Sequence, residues 1–216
     1  MLELSASKTF NWHGAISDKI LQLCRAFGLT LDRLLDRQTT HKCRFHVEDG
    51  DIVYITGPSG SGKSVLLNEL QQCVPDDQRV NLGDVDLPHD RAVIDCIQGN
   101  LLDSLRALTV AGLSDCFCIL NQPDRLSEGQ KWRFRFALAL SQKKKYVFAD
   151  EFCSNLDRLT ATLIASKVNK FAAKTGTIFI LASAATDILS ALAPDVLVVN
   201  ELNAETEVIY KDIRRS

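Results

Sequence analysis

The chain lacks most of the features that would take it outside an ordinary globular fold. No uninterrupted apolar run approaches the roughly 18–20 residues of a membrane-spanning helix, so no span is expected. The stretch Met1 to Ser5 has no basic region followed by an apolar one, so a secretory leader is not expected either. Neither sign of charge dominates: 25 Lys and Arg face 27 Asp and Glu, for a formal net charge of −2. That balance gives no bulk reason to expect nucleic acid. The basic run Lys143-Lys144-Lys145 reads as a solvated turn before a strand. There are seven cysteines, an odd number, with no CxxC pair, and several lie inside apolar runs. This argues against a disulfide framework and fits reduced thiols in a cytoplasmic protein. His41, Cys43 and His46 match no closed zinc spacing and lack an evident fourth ligand, so they read as strand side chains. Internal repeats, linkers and low-complexity segments are also missing.

The 216 residues, 46% hydrophobic and 24% charged, suit one α/β domain over 1–216. Ile16, Ile20, Leu23, Cys24 and Phe27 have helical spacing. Cys43, Phe45 and Val47 then alternate, Asp49-Gly50 makes a turn, and a second strand follows. Helical patterns are expected near 65–73, 88–97, 101–111, 131–140, 158–174 and up to 192. Strands are expected near 79–87, 146–149, 177–182, 195–199 and, at an edge, 206–210. The strands of the second half are continuously apolar and alternate with helices. That is the signature of a sheet covered on both faces.

The strongest motif runs from Gly57 through Pro58, Ser59, Gly60, Ser61, Gly62 and Lys63 to Ser64. It matches G-x-x-x-x-G-K-[ST] between an apolar strand and a helix that opens with Val65. Glycines admit backbone conformations that a Cβ obstructs, so successive N–H groups can turn inward around phosphate oxygens. The following helix points its positive end at the same anion. Lys63 reaches toward the β- and γ-phosphates, and Ser64 is placed to ligate Mg²⁺.

Three further features narrow the reading. The apolar strand 146–149 ends in Asp150, a candidate Mg²⁺ ligand through water, and Glu151 follows as a candidate to orient or deprotonate an attacking water. About twenty residues earlier, Leu126-Ser127-Glu128-Gly129-Gln130 opens an amphipathic helix with Ser127 as its N-cap. Ser154-Asn155-Leu156-Asp157 follows Glu151 almost at once, after Phe152 and Cys153.

Together these residues resemble an ATP-binding-cassette ATPase over roughly 43–200. The resemblance implies a P-loop fold with a mixed sheet, an N-terminal β-subdomain and a reduced helical subdomain at about 85–140. It makes Lys63 and Ser64 the Walker A lysine and magnesium ligand, Asp150 the Walker B aspartate and Glu151 the catalytic glutamate. Ser127, Gly129 and Gln130 match the signature, and Asp157 closes the D-loop. It further implies ATP and Mg²⁺ as ligands, and a head-to-tail homodimer in which each signature caps the other subunit's γ-phosphate.

The sequence departs from that family's pattern in three places. Ser183-Ala184-Ala185 stands where a switch histidine is expected after the strand, so hydrolysis is expected to be slow. The segment between Ser64 and Leu126 is short for a transporter subunit; within it, Gln98 is the candidate to sense Mg²⁺ and γ-phosphate. No aromatic stands quite where adenine stacking is expected, which leaves Phe27 and Phe45 as candidates. The leading expectation is a stand-alone cytoplasmic ATPase acting on a macromolecular partner and resembling the DNA-repair branch of the family. The alternatives are the ATP-binding subunit of a membrane transporter, or a nucleotide-gated binding module with little hydrolysis. A small-molecule kinase would leave 126–130 without a role.

Overall fold

A computed structural model describes residues 2–11, 14–35, 38–202 and 206–211. In chain order the elements are β1 (Leu2–Asn11), α1 (Asp18–Ala26), α2 (Leu31–Leu35), β2 (Gln38–Val47), β3 (Ile52–Thr56) and α3 (Lys63–Gln72). Then come β4 (Arg79–Asn81), α4 (Val93–Cys96), α5 (Leu101–Val110), α6 (Cys116–Leu120), α7 (Glu128–Ser141) and β5 (Tyr146–Ala149). The chain closes with α8 (Arg158–Thr175), β6 (Ile178–Ala182), α9 (Leu189–Leu192), β7 (Val196–Val199) and β8 (Glu207–Tyr210).

The six-stranded sheet has the order β4-β5-β6-β3-β7-β8. All its pairings are parallel except that of the edge strand β8, so the sheet is mixed. Its central strands are buried on both faces, which explains their unbroken apolar runs. On one face Ile52, Tyr54, Val147 and Phe179 pack among α5, α7 and α8 through Leu108, Phe136, Ile164 and Val168. On the other, Val53, Ile55, Phe148 and Ile180 meet Leu66, Leu67 and Leu70 of α3 and Phe45 of β2. The expected α/β architecture is present.

Several local expectations need revising. No element was expected before residue 15, yet β1 is a ten-residue strand paired antiparallel with β2 along its length. The turn at Asp49-Gly50 joins two strands as expected, but they lie in separate sheets: β2 pairs with β1, and β3 with β6 and β7. Gly50 is needed there for packing as well. It has φ 85°, and a Cβ on it would lie 3.0 Å from the carbonyl oxygen of Ala172 in α8. The helix expected over 88–97 shrinks to one turn, α4, and α6 was not foreseen. β4 occupies only the start of the strand expected over 79–87. Among the described residues no helix is long and apolar enough to cross a membrane.

Candidate functional site

β3 delivers the chain into the glycine loop at the carboxyl end of the sheet, where ligands of such sheets bind. The loop's shape depends on its glycines. Gly57 has φ 144°, and a Cβ there would fall 2.0 Å from the carbonyl oxygen of Asn200, just past β7. Gly62, the N-cap of α3, has φ 91°, and a Cβ on it would strike the imidazole of His41 at 2.4 Å. Gly60 has φ 78°, and nothing lies within 4 Å of the position its Cβ would take. The loop is clamped from beneath and open above. Asn200 fixes it by donating from its side-chain amide to the Ser61 carbonyl. The Ser61 hydroxyl is buried and finds no partner among the described residues.

Lys63 turns its ammonium onto the loop itself, donating to the carbonyl oxygens of Gly57 at 2.9 Å and Pro58 at 2.8 Å. Those carbonyls neutralise it only partly, so a phosphate offers it a stronger, charge-assisted partner. Ser64 is exposed at the start of α3, as are Asp150 and Glu151 beyond β5. Among the described residues no cluster of three or more His, Cys, Asp or Glu side chains could cage a metal ion. The loop's left-handed glycines, with open space over Gly60, leave room for a phosphate.

Glu151 sits on a strained turn with φ 47°, and its N–H donates to the Asp150 carboxylate at 2.9 Å. The next N–H, of Phe152, bonds the Ala182 carbonyl at the end of β6 at 2.9 Å. A positive φ on a non-glycine residue persists only where its surroundings enforce it. Here an aromatic cluster does so: Phe152 is fully buried against Trp132 and Phe136 of α7, with ring centroids 5.8 and 6.1 Å apart. The same rings fasten the helix that begins at Ser127 to the Glu151 turn. Sequence periodicity gave no sign of this link.

Ser127 caps α7 in a reciprocal capping box: its hydroxyl accepts from Gln130 N–H, and its own N–H donates to the Gln130 side chain at 2.9 Å. The Gln130 amide nitrogen also reaches the Cys118 sulfur at 3.0 Å. Gly129 lies against the 154–157 segment, where a Cβ would approach Leu156 to 3.4 Å. Asp157 caps α8 by accepting from Thr160, and its hydrogen bonding to Thr160 holds its carboxyl below the usual range.

The segment after β6 is tightly held without offering a ring nitrogen. The Ser183 hydroxyl lies 3.2 Å from that of Ser154 and accepts from Ala185 N–H, while Tyr54 donates its phenol to the Ala185 carbonyl. Burial pushes the Tyr54 phenol up to about 12, so it stays a neutral donor at physiological pH.

Two earlier candidates fall away. Gln98 is exposed between α4 and α5, beside a cavity also lined by Lys143, Lys144 and Thr177, which precede β5 and β6. β5 runs from that end of the sheet toward Asp150, so Gln98 and Asp150 lie at opposite ends. Phe45 is 1% exposed in the core beneath β3 and has no face for adenine. Phe27 remains 73% exposed after α1. His41 and Cys43 share one face of β2 and His46 projects from the other, as the two-residue period of a strand requires.

Comparison with known proteins adds relatives to this geometry. The sequence profile of the family described as ABC transporter matches residues 40–111. The phosphonates import ATP-binding protein PhnC of Lactiplantibacillus plantarum is 24% identical over 224 residues, covering 84% of this chain and 85% of that protein. The methionine import ATP-binding protein MetN of Streptococcus agalactiae is 30% identical over 194 residues, which is 71% of this chain but only 54% of that protein. Among solved structures, a dimeric ATP-binding cassette in a post-hydrolysis state bound to ADP and Pi superposes with a TM-score of 0.66 at 17% identity, covering 95% of this chain and 98% of that one. The proteins named here are transport ATP-binding subunits or cassettes. The expected kinship with DNA repair finds no support among them.

Proposed function

Since the chain belongs to the ATP-binding-cassette ATPases, we propose that it is the ATP-hydrolysing subunit of a membrane transport system. Two copies close head to tail around two Mg-ATP molecules. Lys63 and the loop amides hold the phosphates, Ser64 and Asp150 hold Mg²⁺, and Glu151 activates water. Ser127, Gly129 and Gln130 of each copy complete the partner's site. The short helical subdomain α4–α6 passes the closing movement to a membrane-embedded partner.

The observation that carries the transport reading is the surface of that subdomain. Leu101, Phe117 and Leu120 are 66%, 81% and 63% exposed. Large apolar side chains left in water on so short a segment mark a protein-docking surface. The same three helices carry a single cation, Arg106, whereas binding a phosphate backbone requires several. The relatives PhnC and MetN are import ATP-binding proteins.

Membrane fractionation of the cells that make the protein tests this. Native protein is expected to sediment with membranes, and the double variant Phe117→Asp, Leu120→Asp to stay in the supernatant with its ATP affinity intact. Wild-type protein wholly in the supernatant would overturn the transport reading and restore the stand-alone one.

A further inference from the structure

A cavity of about 850 Å³ opens where α5 of the helical subdomain faces α8 of the sheet domain, at the end of the sheet away from the glycine loop. Nothing in the nucleotide reaction uses it. Its two helical walls follow from simple spacing. On α8, Lys167, Lys170, Phe171 and Lys174 recur at i, i+3, i+4 and i+7 and so share one face. On α5, Leu102, Leu105, Arg106 and Thr109 have the same relation and line the opposite wall. Leu140 and Val147, 5% and 1% exposed, form an apolar floor, and Lys143 and Lys144 add to the rim.

The charges around the rim are lopsided. Six cations line the cavity against one carboxylate, Asp103, which Arg106 and Lys143 already share at 3.5 and 3.2 Å. Lys144 and Lys167 bond main-chain carbonyls of Asp77 and Thr109 at 2.7 Å. No hydrogen bond or ion pair is recorded for Lys170 or Lys174 among the described residues. Like charges gathered on one wall repel one another, and an anion relieves that repulsion. A purely inorganic anion would leave the leucine and phenylalanine walls wet. The volume falls within the range of roughly 300–1,000 Å³ typical of small-molecule sites.

We infer that this cavity binds a small amphipathic anion, a phosphate or carboxylate head on a short apolar chain, with Lys170 and Lys174 holding the head and Leu102, Leu105 and Phe171 the chain.

Titration calorimetry of the full-length chain tests it with octyl phosphate as the probe and with inorganic phosphate, octanol and octyltrimethylammonium as comparators. Octyl phosphate is expected to bind in the micromolar range, at least about tenfold more tightly than any comparator, the ratio that ~1.4 kcal/mol confers. The double variant Lys170→Glu, Lys174→Glu should lose at least about tenfold of that affinity while keeping its Mg-ATP affinity. Lys63→Ala should bind octyl phosphate as wild type does, which separates this cavity from the nucleotide loop. Equal binding of inorganic phosphate would reduce the site to loose charge attraction. Equal binding of octanol would reduce it to an apolar crevice. Full octyl phosphate affinity in the double variant, loss of it in Lys63→Ala, or tighter binding of a DNA duplex than of octyl phosphate would each overturn the assignment.

Discussion

Lys63 donates to the carbonyl oxygen of Gly57 at 2.9 Å, so the loop's own main chain holds its cation. Phosphate oxygens, which carry full charge, compete well with neutral carbonyls for an ammonium. Lys63→Ala is therefore expected to abolish Mg-ATP binding while leaving the thermal midpoint of the nucleotide-free protein within a few degrees of wild type. Calorimetric titration and a melting curve check both halves, and ATP affinity within a few-fold of wild type would exclude the loop as the nucleotide site.

Gly57→Ala should behave differently. Its Cβ would fall 2.0 Å from the Asn200 carbonyl at a φ of 144°. Either the loop or the end of β7 must move, at a cost of about 1–3 kcal/mol. Loss of both stability and ATP affinity is expected. Urea unfolding measures the first; an unchanged midpoint would mean that the loop relaxes freely.

Glu151→Gln should arrest the cycle with ATP bound. Ser127 is exposed, and its recorded hydrogen bonds stay within α7's own first turn, so it is free to meet another copy. Light scattering is expected to report a dimer with ATP and a monomer with ADP. A monomer at saturating ATP would sink the sandwich arrangement.

Hydrolysis by wild type should be slow. A donor aimed at the γ-phosphate in the transition state contributes ~2–4 kcal/mol, on the order of 10²–10³ in rate. Ala184 and Ala185 offer no such side chain. Ala185→His or Ala184→His is expected to raise steady-state phosphate release with little change in ATP affinity. Ala184 is the better site, since it is exposed whereas Ala185 is half-buried and leaves less room for an imidazole. Wild-type turnover near ~10 s⁻¹ with no gain from either histidine would show the proposed deficiency to be wrong.

The thiols should divide by burial. Cys73 and Cys116 are exposed, while Cys43 and Cys153 are buried. Burial raises the Cys43 thiol to about 11 and pushes that of Cys153 higher still. Only thiolate reacts with iodoacetamide, so at pH 8 Cys73 and Cys116 should label first and Cys43 and Cys153 only after unfolding. The sign follows for stability. A thiol with a raised folded-state value favours the fold below about pH 9, and that contribution is lost as pH rises through about 11. Early labelling of Cys153, read by peptide mass, would contradict the packing around Glu151.

Glycine spacing, lysine, Asp150 and the Ser127 cap were legible in the sequence because each acts through its immediate neighbours. A phosphate loop needs particular φ values within eight residues, and a buried parallel strand needs an unbroken apolar run. Both are local requirements, and both leave a local mark. β1 left only a short mark: Leu2, Leu4 and Ala6 alternate with Glu3, Ser5 and Ser7, and Leu4 and Ala6 are buried, but Lys8 breaks the apolar series. The turn at Asp49-Gly50 was legible for the same local reason, whereas the partners of the strands it joins, β1 for β2 and β6 and β7 for β3, lie far along the chain. Gln98 shows the same limit at the site. Its residue type suited a phosphate sensor, but only the packing of α4 and α5 set which end of the sheet it faces. Tertiary structure alone decided the grip of Trp132 and Phe136 on Phe152, and the cleft between the lysines of α8 and the leucines of α5. Each joins side chains at least sixteen residues apart, where burial against a common sheet, rather than spacing along the chain, brings them into contact.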